Sequence, residues 1–277
     1  MRSLKYFLSR SCLEKLYIAF VRPLLEYADI VWENCTNEEK RDIELVQHEA
    51  ARIVSGATKF CNIDALLSEL KWDSLAERRR KHRLIKFYQM KTGLAPSYLS
   101  NLIPQHLNQS YNLRSTYDVP NIYCNTQSYA SSFLPLTINE WNALPLNIRE
   151  SATLSEFKSK LLPVSNLANK LFSIGNRKFQ IYHTRLRLGC STLNYDLHRK
   201  NIVPSPLCSC GAVETTVHYL FHCPRYHELR QHYFQDLPCA HTINNFLYGD
   251  DRLTFVQNKF LFYCIQGYIA ATKRFEP

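Results

Sequence analysis

The chain has 277 residues, 45% of them hydrophobic, a net charge of +10 and only seven glycines. That length supports one large core or two modest ones, and the charge favours a polyanionic partner, most simply nucleic acid. Neither glycine-rich phosphate fingerprint, G-x-G-x-x-G or G-x4-G-K-[ST], occurs, which argues against a nucleotide-driven α/β machine and against a small-molecule substrate of that kind.

From Ser11 onward, Leu13, Leu16, Tyr17, Phe20, Leu24 and Tyr27 recur at the three- and four-residue steps of an amphipathic helix, with Pro23 as its kink or break. Arg22 interrupts the apolar run there and no small-residue cleavage site follows, so no signal peptide is expected. No run in the chain reaches the length of a bilayer span, so no membrane partner is expected. Thr36 or Asn37 caps a second helix whose inward face holds Ile43, Val46, Ala50 and Ile53, and Gly56 ends it. Asn62 opens a short helix through Leu70. Asp73 precedes a longer one that stops near Gly93, with Pro96 just beyond. On this fourth helix Arg78, Arg79, His82, Arg83 and Lys86 share one face, opposite Ala76, Leu84, Phe87 and Tyr88. A face of one sign repels itself without a partner, which makes Arg78, Arg79, Arg83 and Lys86 candidates for tracking a phosphate backbone; a solvated helix face is the plainer alternative.

Asn, Ser, Thr and Tyr dominate residues 105–130, where helical period is lost and a polar, partly extended connector is expected. Apolar content returns from Ser132 to Pro145 around Trp141, and Ser151 to Leu162 reads as helix. Trp32, Trp72 and Trp141 are expected core anchors. From Lys170 to Lys200 the basic residues Arg177, Lys178, Arg185, Arg187, Arg199 and Lys200 face one acid, Asp196. Within it, residues 179–188 interleave rings and cations, a pattern suited to a single strand or a hybrid duplex, with Arg185 and Arg187 as its contacts. An ordinary amphipathic helix is the alternative. After Cys223 two helices, Tyr226 to Phe234 and Leu253 to Phe275, are expected to pack on the cysteine-bearing segment.

That segment carries the most specific signal in the chain. Cys208, Cys210, His218 and Cys223 read C-x-C-x7-H-x4-C, and three thiolates with one imidazole form a closed, structural zinc set with no position left for water. Gly211 permits a tight turn after the first pair, and Pro224 favours a fresh helix start after the last ligand. His222, four residues beyond His218, is the competing histidine. The remaining cysteines are scattered through apolar surroundings, as buried free thiols are, and together with a zinc site they point to a reducing compartment, nucleus or cytoplasm.

Residues 22–32, Arg-Pro-Leu-Leu-Glu-Tyr-Ala-Asp-Ile-Val-Trp, and 47–57, Gln-His-Glu-Ala-Ala-Arg-Ile-Val-Ser-Gly-Ala, resemble the region just after the palm in reverse transcriptases of non-LTR retrotransposons, Jockey-like elements especially. Ser132-Phe-Leu-Pro through Trp141-Asn-Ala-Leu-Pro145 is similar to a stretch further down the same polyproteins. His183-Thr-Arg-Leu-Arg187 followed by Cys208, Cys210, His218 and Cys223 looks like their C-terminal knuckle. The resemblance runs from the first helix to Thr272-Lys-Arg274, and the order and spacing of its motifs are more specific than any one of them. It implies a mainly α-helical protein with a thumb-like bundle over 1–104, a linker with short helices over 105–164, and a basic helical region with the zinc knuckle over 165–277, handling template RNA or target DNA.

The resemblance also implies no catalysis by these residues alone. Polymerase chemistry needs paired carboxylates on two metals. Tyr27-Ala28-Asp29-Ile30 carries three letters of the family's Tyr/Phe-Ala-Asp-Asp turn, but Ile30 stands where the second acid would be. Asp250-Asp251 lacks the Pro-Asp and acid-x-Lys pattern of a restriction-like nuclease, no ribonuclease H set of four dispersed acids is present, and Cys264 and His183 sit in no nucleophile signature. The expected function is therefore nucleic-acid binding. Two alternatives stand beside it: a protein-interaction module docking to an intact reverse transcriptase, and a decayed reading frame with no selected function.

Overall fold

The structure, a computed structural model, describes residues 1–105, 119–161 and 168–276. Within them the chain is mainly helical, and the one extended pairing among the described residues is an isolated bridge between Leu207 and Val213. The longer helices are α1 (Arg10–Leu16), α2 (Asn37–Ser55), α3 (Ile63–Leu70), α4 (Leu75–Lys91), α5 (Phe133–Asn142), α6 (Leu154–Leu161), α7 (Arg177–Arg187), α8 (His227–Phe234), α9 (Ile243–Tyr248) and α10 (Phe255–Thr272). Most of the expected polar connector, residues 106–118, and the expected boundary near 164–165 lie outside the described residues.

Local chemistry fixes the helix ends. Thr36 and Glu39 cap α2 reciprocally: the Glu39 carboxylate accepts from the Thr36 N–H at 2.8 Å while Thr36 Oγ1 accepts from the Glu39 N–H at 3.3 Å. Asn62 caps α3, Ser74 caps α4, and Thr254 with Gln257 forms the same reciprocal cap on α10. The expected first helix is not continuous. Pro23 lacks the N–H that would bond back to residue 19, and the chain widens into a π-turn over Tyr17–Val21 just before it. Leu13 and Tyr17 are buried, whereas Phe20, Leu24 and Tyr27 are exposed.

Two compact units emerge, and neither is a consecutive third of the chain. One comprises Arg22–Gln47 with Asp73–Ser165; the other comprises Met1–Val21, His48–Trp72 and Asn166–Pro277. The division into 1–104, 105–164 and 165–277 is thus replaced by an interleaved one, because residues 48–72 pack with the C-terminal residues and residues 133–161 pack with α4.

In the first unit α4 packs on α5 and α6. Leu84, Phe87 and Tyr88 from α4 meet Ile138 and Trp141 from α5 and Phe157 from α6, all buried. Tyr88 stacks on Phe157 at 4.6 Å and donates its hydroxyl to the Ser151 carbonyl at 2.8 Å. The segment expected to be a linker therefore supplies half a core, and each of its large side chains contributes roughly 1.5–3 kcal/mol by burial. Of the three tryptophans only Trp141 is fully buried; Trp32 and Trp72 are half-buried.

In the second unit α10 is the hub, contacting α7, α8 and α9. Leu261, Phe262, Ile265, Tyr268 and Ile269 bury one side of it against Tyr219, Phe234 and Phe246. Leu13, the last turns of α2, and Leu66 and Leu70 of α3 form a second cluster with Cys61 and Cys190. Between α1, α3 and α7 runs a buried ion triad. Glu69 accepts from Arg187 Nε at 2.8 Å, Arg187 Nη2 at 3.0 Å and Arg10 Nη1 at 2.9 Å.

Candidate metal centre

The four ligands predicted from spacing come together. The donor atoms of Cys208, Cys210, His218 and Cys223 all lie within 4.8 Å of one another, in a mostly buried site. Cys208 Sγ and Cys223 Sγ are 3.8 Å apart, and Cys210 Sγ is 3.2 Å from His218 Nε2. Two sulfurs bound at about 2.3 Å to one tetrahedral ion would sit about 3.8 Å apart, and a sulfur–nitrogen pair about 3.5 Å apart. The donor set thus fits a four-coordinate ion, and all ten cysteines are free thiols. His222 is not part of the set; it lines a separate cavity with Phe221, His227 and His241.

Backbone geometry explains how residues so close in sequence converge. Residues 206–214 fold back as a hairpin: Cys208 N–H donates to the Ala212 carbonyl at 2.8 Å and Glu214 N–H to the Pro206 carbonyl at 2.8 Å. The turn closes with Gly211 N–H donating to the Cys208 carbonyl at 2.9 Å, at a φ of +90° that favours glycine. His218 opens a π-turn over His218–His222, which the Cys223 N–H closes on the His218 carbonyl at 2.8 Å. Pro224 then begins a short 3-10 turn, Pro224–Tyr226, that leads into α8.

The thiols influence one another. Burial pushes the Cys208 thiol up, but the Cys210 N–H and hydrogen bonds from His218, Cys210 and Cys223 outweigh it and bring Cys208 down to about 6. Cys223 moves the other way, to about 11, through burial and its place beside Cys208. A low thiol pKa suits a metal ligand, since the thiolate is the form that coordinates.

Spacing did not reveal what braces the hairpin. Arg274 clamps Glu214 bidentately, Nε to Oε1 at 2.7 Å and Nη2 to Oε2 at 2.6 Å, and the same carboxylate accepts from the Asn194 N–H at 2.7 Å. The Tyr268 hydroxyl donates to the Tyr219 carbonyl at 2.6 Å, and Arg225 Nη1 to Ser209 Oγ at 2.6 Å. Glu214 is the only Asp, Glu, Lys or Arg between Lys200 and Arg225, which is the one signal the sequence offers for this clamp.

Several predicted phosphate contacts are corrected. Arg79 is buried with its Nε on Glu33 at 3.0 Å, and Arg83 is buried between Glu33 at 3.1 Å and Glu140 at 2.8 Å. Arg78 pairs with Glu26, and His82 donates to Asp29 at 2.6 Å. The basic face of α4 is therefore met by acids from residues 26–33 and α5. Asp29, the acid of the Tyr27–Ile30 run, is buried against that histidine. Lys86 is half-buried, with no carboxylate partner among the described residues. On α7, Arg187 is buried in the Glu69 triad, so it is structural, while Arg185 is half-buried and donates to the Gly56 carbonyl at 2.9 Å. His183 is buried, donates from Nε2 to the Phe246 carbonyl at 2.8 Å, and is held neutral by burial, its pKa lowered to about 3.

No helix among the described residues is long and apolar enough to cross a membrane. No family model, no curated protein and no solved structure matches this chain.

Proposed function

We propose that the chain is a nucleic-acid-binding portion of a non-LTR reverse transcriptase, non-catalytic by itself, whose C-terminal unit is organised by a structural zinc ion on Cys208, Cys210, His218 and Cys223. The observation that carries this reading is the donor set: three sulfurs and one imidazole within 4.8 Å, with spacings suited to a tetrahedral ion. Zinc is favoured over other divalent ions because a Cys3His set has soft donors and no redox demand. Bound, the ion would lock the hairpin at 206–214 to the π-turn at 218–222 and supply no chemistry. Net charge of +10 supports an RNA or DNA partner. Asp29 supports the absence of catalysis, being committed to His82.

Binding is tested with labelled RNA and DNA oligonucleotides over a range of salt. The expected result is affinity that falls steeply and linearly on a logarithmic salt scale, through counterion release. No binding to either at low salt would overturn the reading. A second reading, docking to an intact reverse transcriptase or another protein, is favoured by Leu24, Tyr27 and Val31, each about four-fifths exposed in one short stretch.

A further inference from the structure

At one point in the C-terminal unit α7 crosses the end of α2 at very short range. Gly56, at φ +81°, makes this possible, because a Cβ there would lie 2.3 Å from Ile181 Cγ1. Arg177 and Arg185 lie one turn before and one turn after Ile181, so both reach the terminal carbonyls of α2. Arg177 Nη2 donates to Ile53 at 2.9 Å and its Nε to Lys5 at 3.3 Å; Arg185 Nε donates to Gly56 at 2.9 Å. Lys5, Arg52 and Lys59 complete the walls of a pocket of about 270 Å3.

The electrostatics of this pocket are one-sided. Its five cationic side chains face a single carboxylate, Glu49, which already meets Arg2 at 3.0 Å and Arg52 at 3.8 Å. The C-terminal end of α2 adds roughly half a negative charge, so a surplus of about three to four positive charges remains. None of Lys5, Lys59, Arg177 and Arg185 has a carboxylate partner among the described residues. Helix capping accounts for the carbonyl bonds of the two arginines, but not for Lys5 and Lys59. Nor does it account for Arg177 Nη1, which is buried and donates to no acceptor among the described residues. Burial, and after it the charge of Arg10, lowers the Arg177 pKa to about 10, as expected for a guanidinium held without an anion. A second concavity adjoins the first through Tyr6, Arg177, Ile181 and Arg185, and brings in Lys178 and Tyr182. The Tyr6 ring at the shared rim is 64% exposed.

We propose that this pocket binds a backbone phosphate of single-stranded nucleic acid, with the neighbouring base stacked on Tyr6. The proposal rests on the nucleic-acid reading above and gives it a location that the predicted contacts on α4 do not. Phosphate oxygens are acceptors for Arg177 Nη1 and for the ammonium groups of Lys5 and Lys59, which lie over the Tyr6 and Phe60 rings at 4.7 and 5.1 Å and have no carboxylate partner among the described residues. An exposed ring beside them suits an unpaired base and has nothing to stack on in an intact duplex, which sets the preference for single strands.

The test is fluorescence anisotropy of the full chain with a labelled single-stranded RNA, its DNA counterpart and a duplex. Lys5→Glu and Lys59→Glu alter side chains that make no hydrogen bond among the described residues, and Lys259→Glu on exposed α10 surface is the control of equal charge. Expected are losses of about fivefold or more for the two pocket variants, each with a salt slope shallower by about 0.7, and little change for Lys259→Glu. Tyr6→Ala is expected to weaken single-strand binding by about fivefold or more and to leave duplex binding unchanged. If the wild type binds and all three lysine variants weaken it equally, the pocket is wrong while the nucleic-acid reading stands. If Tyr6→Ala weakens single strand and duplex alike, or neither, the single-strand assignment is overturned. If the wild type binds no nucleic acid, both fall.

Discussion

Replacing Glu69 by Gln removes the one negative charge between Arg10 and Arg187 and leaves two guanidiniums buried side by side. Three charge-assisted hydrogen bonds end on this carboxylate, at 2.8, 2.9 and 3.0 Å, each worth roughly 1.5–3 kcal/mol. Gln keeps one acceptor oxygen, so the gross sum is an upper bound, and breaking a buried pair of this kind costs about 3–5 kcal/mol. With a urea m-value of about 2 kcal/mol/M for a unit of this size, the midpoint should fall by roughly 1.5–2.5 M. Urea denaturation at pH 7, read by circular dichroism, measures it. Burial alone would raise the Glu69 pKa, but Arg187 and then Arg10 outweigh it and hold the carboxyl below its usual range. A depressed carboxyl contributes stability above its unfolded pKa and loses it as pH falls through the folded one. The gap between wild type and Glu69→Gln should therefore be full at pH 7 and narrow below about pH 4. A midpoint shift under about 0.5 M at pH 7 would refute the triad as a structural element and reopen Arg187 as a surface contact.

Glu33→Gln removes the carboxylate shared by Arg79, Arg83 and Lys40, and should cost the other unit about 3 kcal/mol in chemical denaturation while leaving RNA affinity unchanged. Gly56→Ala should lower stability by about 2–4 kcal/mol, from the positive φ and the clash with Ile181, as read by thermal unfolding. His183, with a folded pKa near 3, binds its proton only in the unfolded chain between about pH 6.5 and 3. Stability should fall toward acid across that window by up to about 1.4 kcal/mol per pH unit, and His183→Gln should flatten the slope. Trp141→Ala, which empties the centre of the α4–α5–α6 core, should cost about 3–5 kcal/mol.

Features that depend on near neighbours in sequence were legible. Asn62 capping α3, Thr36 capping α2 and the convergence of Cys208, Cys210, His218 and Cys223 each need only a few residues of context. The choice between His218 and His222 was not legible, because both fit the spacing and only the π-turn directs the first one inward. Periodicity grouped the basic side chains of α4 on one face but could not name their partners, since Glu26, Asp29, Glu33 and Glu140 lie in other elements. Hydropathy likewise placed Val46 inward on α2. Gln47 is buried instead, because its amide joins the Asp73 carbonyl and the Leu75 N–H, and Val46 is left 45% exposed. The pocket at Gly56 draws on Lys5, Lys59 and Arg177, far apart in the chain, and only the Arg177–Ile181–Arg185 spacing hints at it.

Metal content of the purified, reduced chain tests the zinc-organised C-terminal unit most directly, with Cys208→Ser, Cys223→Ser and His222→Asn measured beside it. One zinc per chain in the wild type and in His222→Asn, lost in both serine variants, is the predicted result. No bound metal after purification with zinc present, or zinc retained by both serine variants, would contradict it.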